Sequence, residues 1–417
     1  MNKSKCIKVK GNQMVNGVIK VSGSKNASLP IICASLFCNG EVTLKNVPDI
    51  LDIRNLIELL KYINVKCEFN DNVLKINPSK MEYKNLDIPL MKTFRASYYL
   101  IPPLLKENST FKFSSVGGCS FEERPINFHI DLLKESGVEV INYEDLYYLK
   151  VGEFKDLEYT FKKKSVGATI NGILLGLKTK KNIVLKNYSN EIEVFDLINF
   201  LKQCGLDIII TEDSISFNGK TQLNPIEYEI MPDRIEAETF ALIGLGLGKV
   251  GIFDFIKDHH QAFLDFLDKN KIVYTLENDF LLVNKTLIED SNLIELDVYP
   301  SLSTDIGPIL LAYLLLGNKM FIIKDKVYPS RLSKLDYFSK CFKSVDNTLL
   351  VNTIKIKDDN YIFCGSNLRD TMAYLYYSLS HEGNFYIYGK EHLIRGYEEI
   401  INKLVSLGCY LEEEDED

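Results

Sequence analysis

Nowhere in the 417 residues do about 18 uncharged apolar residues follow one another, and the stretch Met1 to Lys10 carries lysines without an apolar run. Neither a membrane span nor a signal peptide is expected. Clustered positive charge is missing as well: Lys and Arg number 49 against 57 Asp and Glu, a formal net charge of −8. Neutralising nucleic-acid phosphates needs a surplus of basic residues, so a general nucleic-acid binder is excluded, although a local basic cleft is not. Part of the deficit lies in Glu412 to Asp417, which reads as a solvated acidic tail. The nine cysteines, spread from Cys6 to Cys409, lack any Cys-x-x-Cys spacing, and their odd number fits no closed disulfide framework. A reducing cytoplasm is the simplest setting. Histidine is scarce, five in all, with one adjacent pair, His259 and His260, expected to diverge on a helix. No metal and no cofactor are implied.

What the chain does contain is an internal repeat. One pattern returns six times at intervals of roughly 65–73 residues. Each copy opens with a small or polar cluster, continues into an apolar helix, then a Gly or Asn turn and a β-branched strand. The openings are Ser24-Lys25-Asn26, Phe94-Arg95-Ala96-Ser97, Ser165 to Thr169, Asp233 to Glu236, Ser303-Thr304-Asp305 and Asn367 to Asp370. The second half of each copy is an amphipathic helix followed by a turn and two short strands, over Asp52–Asn77, Ile130–Val151, Glu193–Asn218, His260–Asn284, Arg331–Asn352 and Arg395–Glu412. The fifth copy is the most worn. A unit this small cannot bury two helices and a sheet alone, so an α/β architecture of two three-copy groups is expected. Their junction falls near Met231-Pro232-Asp233, giving one domain of residues 24–232 and another of 1–23 with 233–417.

The openings also carry chemistry. Each begins a helix, where unpaired N–H groups and the helix dipole favour anions, and Lys25, Arg95 and Arg369 add a cation. Arg234 is a fourth, flanked by Asp233 and Glu236, which are placed to neutralise it. Gly117-Gly118-Cys119, with Glu123-Arg124-Pro125 close behind, reads as an exposed reactive thiol beside an arginine that lowers its pKa. For the other eight cysteines a buried structural role is the better reading.

In these features the chain resembles the UDP-N-acetylglucosamine enolpyruvyl transferases of peptidoglycan synthesis, relatives of the shikimate-pathway enolpyruvyl transferase. The strings are Val21 to Ala27, Lys92 to Ser97, Gly117-Gly118-Cys119 with Arg124-Pro125, Ser165 to Thr169, Pro232 to Ala237, Thr304-Asp305 and Arg395-Gly396-Tyr397-Glu398. Their order and spacing span essentially the whole chain. The resemblance implies two domains of three βαβαββ units each, with three-fold pseudo-symmetry and the chain crossing between them twice. It implies phosphoenolpyruvate and a UDP-sugar as small-molecule substrates, closure over them, and mobility in the Cys119 loop, Ser114 to Glu123. Cys119 would protonate the methylene carbon, and Asp305 would take the acceptor proton; the plain alternative for Asp305 is a helix N-cap. Lys25, Arg124 and Arg395 would hold phosphoenolpyruvate, with Arg331 and Arg369 completing the clamp unless they are solvated helix-end cations. Asn26, Arg95, Arg124, Pro125, Ile126, Asn127, Phe128, Lys163, Lys164, Ser165, Val166, Asp305 and Val327 would line the nucleotide-sugar site. The run Lys162 to Lys164 would elsewhere be a solvated face; just before a helix start it suits a diphosphate. Nothing in the sequence fixes an oligomeric state.

Several positions depart from that family's pattern. Asn127 and Asn367 replace aspartates, Gly307 replaces a glutamine, Leu51 a lysine and Ile394 an aspartate, while Asn190 to Glu193 lacks the customary Arg and Pro. Two alternatives follow: a paralogue acting on another uridine compound, and a catalytically silent nucleotide binder. Retention of Lys25, Cys119, Arg124, Asp305 and Arg395 together argues against the second.

Overall fold

The computed structural model describes residues 5–115, 126–288, 293–317, 319–345, 348–352 and 360–415. Among these, packing divides the chain into two compact units, one holding the chain up to Ser22 and from Pro232 onward, the other running from Gly23 to Met231. Each contains three small sheets. The pattern is clearest at Leu157–Thr160, which lies parallel to Asn182–Lys186 across an intervening helix. Asn182–Lys186 then pairs antiparallel with Ser214–Asn218, itself antiparallel to Ile208–Ile210.

Two strands next to the chain crossings supply first strands to copies whose remaining elements come from elsewhere in the chain. Val15–Lys20 lies parallel to Gly248–Phe253, and Glu227–Glu229 parallel to Val42–Lys45. Around them, Ser22 O accepts from Asp233 N at 2.8 Å, and Ser24 N donates to Met231 O at 2.7 Å.

The polar opening clusters start helices because they satisfy their unpaired N–H groups. Ser24 caps Lys25–Ala34, Ser165 caps Val166–Thr179, Asp233 caps Arg234–Leu247 and Asn367 caps Leu368–Ser380. These helices are apolar on nearly every side and are buried accordingly; in Arg234–Leu247 every residue is buried. The second-half helices, such as Leu51–Tyr62 and Gln261–Lys269, alternate buried and exposed faces as amphipathic spacing requires.

Several expectations need correction. The second copy opens not with an α-helix but with a 3-10 turn, Arg95–Leu100, and four helical residues, Ile101–Leu104. Pro102 and Pro103 withhold the N–H groups a longer helix would use. In the fifth copy the amphipathic helix shrinks to Ser330–Ser333 and a 3-10 turn, Asp336–Cys341. Serine hydroxyls bond back to nearby carbonyls there, Ser333 to Ser330 and Ser339 to Asp336. Among the described residues one strand, Leu411–Asp415, follows the helix of the last copy; its antiparallel partner is the N-terminal strand Lys5–Lys10. Most of the acidic tail is therefore sheet, held where Lys8 faces Glu412 at 3.5 Å and Glu414 at 3.0 Å. His259 ends a 3-10 turn and His260 caps the next helix, so the pair does not share a helix. Of the eight other cysteines, Cys67 is half-buried and Cys364 exposed, because strand alternation in Asn360–Cys364 turns Cys364 outward.

Candidate active site

Asp305 is the centre of the most organised polar cluster in the first unit. Ser303 takes the cap position, its Oγ accepting from Asp305 N at 3.2 Å, so the Asp305 side chain is not the N-cap. The freed carboxylate receives two arginines, Arg331 Nη1 at 2.8 Å on Oδ1 and Arg369 Nη2 at 2.9 Å on Oδ2. Neither arginine is a solvated helix-end cation, since their side chains are 5% and 14% exposed. Arg331 is held further by Thr304 O at 2.7 Å and Thr304 Oγ1 at 3.0 Å, and it lies over the Tyr328 ring. Arg369 reaches Tyr397 Oη at 3.2 Å, and Tyr397 in turn meets Thr239 Oγ1 at 3.0 Å. Burial, the largest influence, works against the Arg369 charge, but Asp305, Tyr397 and Asp233 together more than offset it and the guanidinium pKa is raised.

Two departures from the family pattern have local causes. A Cβ at Gly307 would meet Leu296 Cδ1 at 2.7 Å and Leu332 Cδ2 at 3.3 Å, so a long side chain does not fit against this packing. Asn367 closes a capping box with Asp370 and also donates from Nδ2 to Asp370 Oδ2 at 2.7 Å. An aspartate at 367 would set two carboxylates against each other in a buried place; the amide avoids that. Arg395 is half-buried in the turn after Lys390–Leu393. Gly396 lets this turn approach the Leu368–Ser380 helix, since a Cβ there would lie 2.3 Å from Leu368 Cδ2. Val327, half-buried, donates its N–H to Asp325 Oδ1 at 2.9 Å.

In the second unit the expected residues lie at helix starts. Lys25 Nζ pairs with the buried Asp52 Oδ2 at 2.6 Å, while neighbouring Asn26 is exposed. The Arg95 guanidinium sits over the Tyr98 ring, 5.7 Å from its centre. Lys163 and Lys164 are exposed just ahead of Ser165 and Val166, with Lys164 Nζ 3.3 Å from Asn190 Oδ1. Ile126 and Asn127 begin the helix Asn127–Glu135, and Phe128 meets Phe161 edge to face. Behind them His129 is buried, its Nδ1 2.9 Å from Asn171 Nδ2 and its ring against Tyr98. Burial, and to a smaller extent Arg95, pushes its pKa down to about 3. Cys119, Arg124, Pro125 and the Cys119 loop beyond Ser115 lie outside the described residues.

The structure thus brings Asp305, Arg331 and Arg369 into direct contact. Sequence reasoning missed two of their supports and the partner of Lys25. Asp325 accepts from Thr304 Oγ1 at 2.5 Å and from the N–H groups of Val327 and Tyr328; an aspartate two and three residues before those amides is a turn signal that was there to read. Tyr397 stood inside a quoted string without a role. Asp52, the Lys25 partner, was legible only as an acid in the first turn of a helix. Among the described residues no cluster of three or more His, Cys, Asp or Glu could hold a metal ion, and no helix is long and apolar enough to cross a membrane.

Two halves of repeated βαβαββ units, with a doubly clamped carboxylate at a helix start, define a class. The sequence profile of EPSP synthase (3-phosphoshikimate 1-carboxyvinyltransferase) matches residues 9–299, and the chain belongs to this enolpyruvyl transferase family. A UDP-N-acetylglucosamine 1-carboxyvinyltransferase of Kosmotoga olearia is 30% identical over 414 residues, covering 97% of this chain and 98% of that relative. One of Thermotoga petrophila is 29% identical over 421 residues, covering 97% of each. Among solved structures, the enolpyruvyl transferase NikO from Streptomyces tendae matches with a TM-score of 0.88 at 18% identity, over 100% of both chains. EPSP synthase from Acinetobacter baumannii matches at 0.76 and 12% identity, over 99% of this chain and 100% of that one. The fold is the two-domain α/β enolpyruvyl transferase fold that the resemblance implies, and the family makes the chain a transferase of enolpyruvyl groups.

Proposed function

We propose that the protein transfers the enolpyruvyl group of phosphoenolpyruvate to the 3-hydroxyl of UDP-N-acetylglucosamine with release of phosphate. The observation that carries this reading is the Asp305 carboxylate bridged by Arg331 and Arg369, an acid and two anion-binding forks in one place. The names of the full-length relatives supply the acceptor.

In this reading the acceptor oxygen bonds to carbon 2 of phosphoenolpyruvate while the double-bond electrons take a proton from the Cys119 thiol at carbon 3. The carbon–phosphate oxygen bond then breaks, phosphate leaves, and loss of a proton from carbon 3 restores the double bond. Asp305 takes the acceptor proton. Because both of its oxygens already receive arginine N–H groups, it becomes a useful base only when at least one arginine turns to the substrate anion. Arg331 and Arg369 thereby exchange an internal carboxylate for the phosphate or carboxylate of phosphoenolpyruvate, with Lys25, Arg124 and Arg395 as further cations. Asn26, Arg95, Pro125 to Phe128, Lys163 to Val166 and Val327 line the nucleotide-sugar.

The test is phosphate release by purified protein supplied with phosphoenolpyruvate and UDP-N-acetylglucosamine. Turnover is expected, and Cys119→Ser should lower it at least about a hundredfold. Turnover only with a different uridine compound would move the acceptor assignment to a paralogue; no turnover with any acceptor would defeat the proposal. The epoxide fosfomycin should alkylate Cys119 in the presence of nucleotide-sugar, read by mass spectrometry.

A further inference from the structure

Beside the Asp305 turn, and wholly within the first unit, a partly open pocket is lined by Arg234, Glu238, His259, His260, Tyr299 and Ser303. Glu238 is 3% exposed, and its two oxygens are treated differently. Oε1 lies 3.0 Å from His260 Nδ1, while Oε2 is buried without a hydrogen-bond partner. The imidazole cannot turn readily to serve both oxygens, because it is stacked on Phe255 with ring centres 3.8 Å apart and planes 15° from parallel. Across the pocket the Arg234 guanidinium lies over the Tyr299 ring, 5.6 Å from its centre.

A buried carboxylate oxygen left without a donor is costly, and natural structures fill such places with a water or a ligand group. The pocket has room for about one water-sized group, which suits a single hydroxyl and nothing bulkier. Its wall is also the wall of the candidate active site: Ser303 lines the pocket and its Oγ accepts from Asp305 N. Ser303 thus joins the pocket to the Asp305 turn, and a sugar with its 3-hydroxyl at Asp305 carries a second hydroxyl on the adjacent carbon 4.

We infer that Glu238 Oε2 is an acceptor-recognition point, taking a hydrogen bond from a second hydroxyl of the sugar whose reacting hydroxyl lies at Asp305. The inference rests on the proposed reaction and deepens it by naming a specificity-determining residue outside the expected site. His260 fixes the carboxylate by holding Oε1, and so directs Oε2 to the ligand. A site built to accept a hydroxyl discriminates strongly against an analogue that lacks it.

The experiment compares wild type with Glu238→Gln in steady-state turnover of phosphoenolpyruvate and UDP-N-acetylglucosamine, with thermal melting to establish that the variant is folded. The KM for the nucleotide-sugar should rise at least about tenfold while that for phosphoenolpyruvate stays within about twofold. Deoxy acceptors sharpen this: the one lacking the recognised hydroxyl should be a poor substrate for wild type and should lose no further ground in the variant. Unchanged constants in a folded variant would mean that Oε2 meets water alone, and an equal rise in both KM values would mean general disturbance; either overturns the inference. Glu238→Asp, which keeps the charge but withdraws it by one methylene, replaces the glutamine variant if that one does not fold. Absence of wild-type turnover would count against the reaction, and calorimetric binding of UDP-N-acetylglucosamine would then decide the role of Glu238. Affinity at least tenfold weaker in the variant supports it; equal affinity, or no binding to wild type, overturns it.

Discussion

The two units repeat one plan, and both pair charges at helix starts, but they set their buried histidines in different company. In the first, His260 lies 3.0 Å from the Glu238 carboxylate, in a unit that pairs Asp305 with Arg331 and Arg369 and Glu236 with Lys403. In the second, which pairs Lys25 with Asp52, His129 has the Asn171 amide and the Tyr98 ring beside it, in a pocket otherwise made largely of Ile101, Phe113, Ile130, Leu132 and Leu175. The contrast teaches that equal topology does not fix equal electrostatics. In the proposed reaction the Asp305 pairs are ones that a substrate opens, whereas the imidazole in the second unit is kept neutral by its apolar surroundings.

The strongest way to break this comparison is at the pair itself. Asp305→Asn removes the charge that both arginines share and, in the proposed reaction, the acceptor for the substrate proton. We expect kcat to fall by about 10²–10⁴-fold. Rapid-mix measurement of phosphate release reads the effect, and a variant retaining more than a tenth of wild-type turnover would mean that Asp305 organises the arginines without joining the chemistry.

A second prediction separates the units by pH. His129 has its pKa lowered from 6.5 to about 3, chiefly by burial. The unfolded chain thus takes up a proton below pH 6.5 that the folded chain refuses until near pH 3. The stabilisation is full above pH 6.5 and is lost as pH falls toward 3, with a slope of up to about 1.4 kcal/mol per pH unit. Glu236 in the first unit has its pKa raised from 4.5 to about 7, again chiefly by burial, and contributes with the opposite sign: stability present below 4.5 that is lost as pH rises through 7. Asp196 in the second unit, raised to about 6, opposes His129 over part of the range, so the comparison must be made against a variant. Urea unfolding of wild type and His129→Gln at pH 7.5, 6 and 5 should converge as pH falls. Parallel stabilities across that range would show that His129 does not carry the acid sensitivity.

These sites also mark how far the sequence could be read. The caps at Ser24, Ser165, Asp233 and Asn367 were legible because one short polar side chain before an apolar run has one local use. Asp305 was found by resemblance, but its relation to Arg331 and Arg369 was not, because Arg331 lies 26 residues on in the same copy and Arg369 in the next, and only folding joins them. The N-terminal strand Lys5–Lys10 escaped for a related reason. Its neighbours in the sheet, Asn384–Tyr388 and Leu411–Asp415, lie at the other end of the chain, where no local pattern announces them. Glu238 escaped because a glutamate inside an apolar helix looks like one more polar interruption until its unpaired oxygen is seen.

That terminal sheet offers the smallest test of the contrast between stored pairs and solvated charge. Lys8 on the N-terminal strand faces Glu412 and Glu414 on the C-terminal one, yet all three side chains are 36% to 45% exposed, so water screens the attraction that deeper pairs of the first unit retain. Lys8→Glu should therefore lower the melting temperature by only on the order of a degree or two at low salt, through like charges set opposite one another across the strands. Raising the ionic strength to about 1 M shortens the screening length to about 3 Å and should erase most of the difference. A loss that persisted undiminished in high salt would mean that Lys8 contributes through its packed hydrocarbon stem, and that this edge behaves like the interior pairs after all.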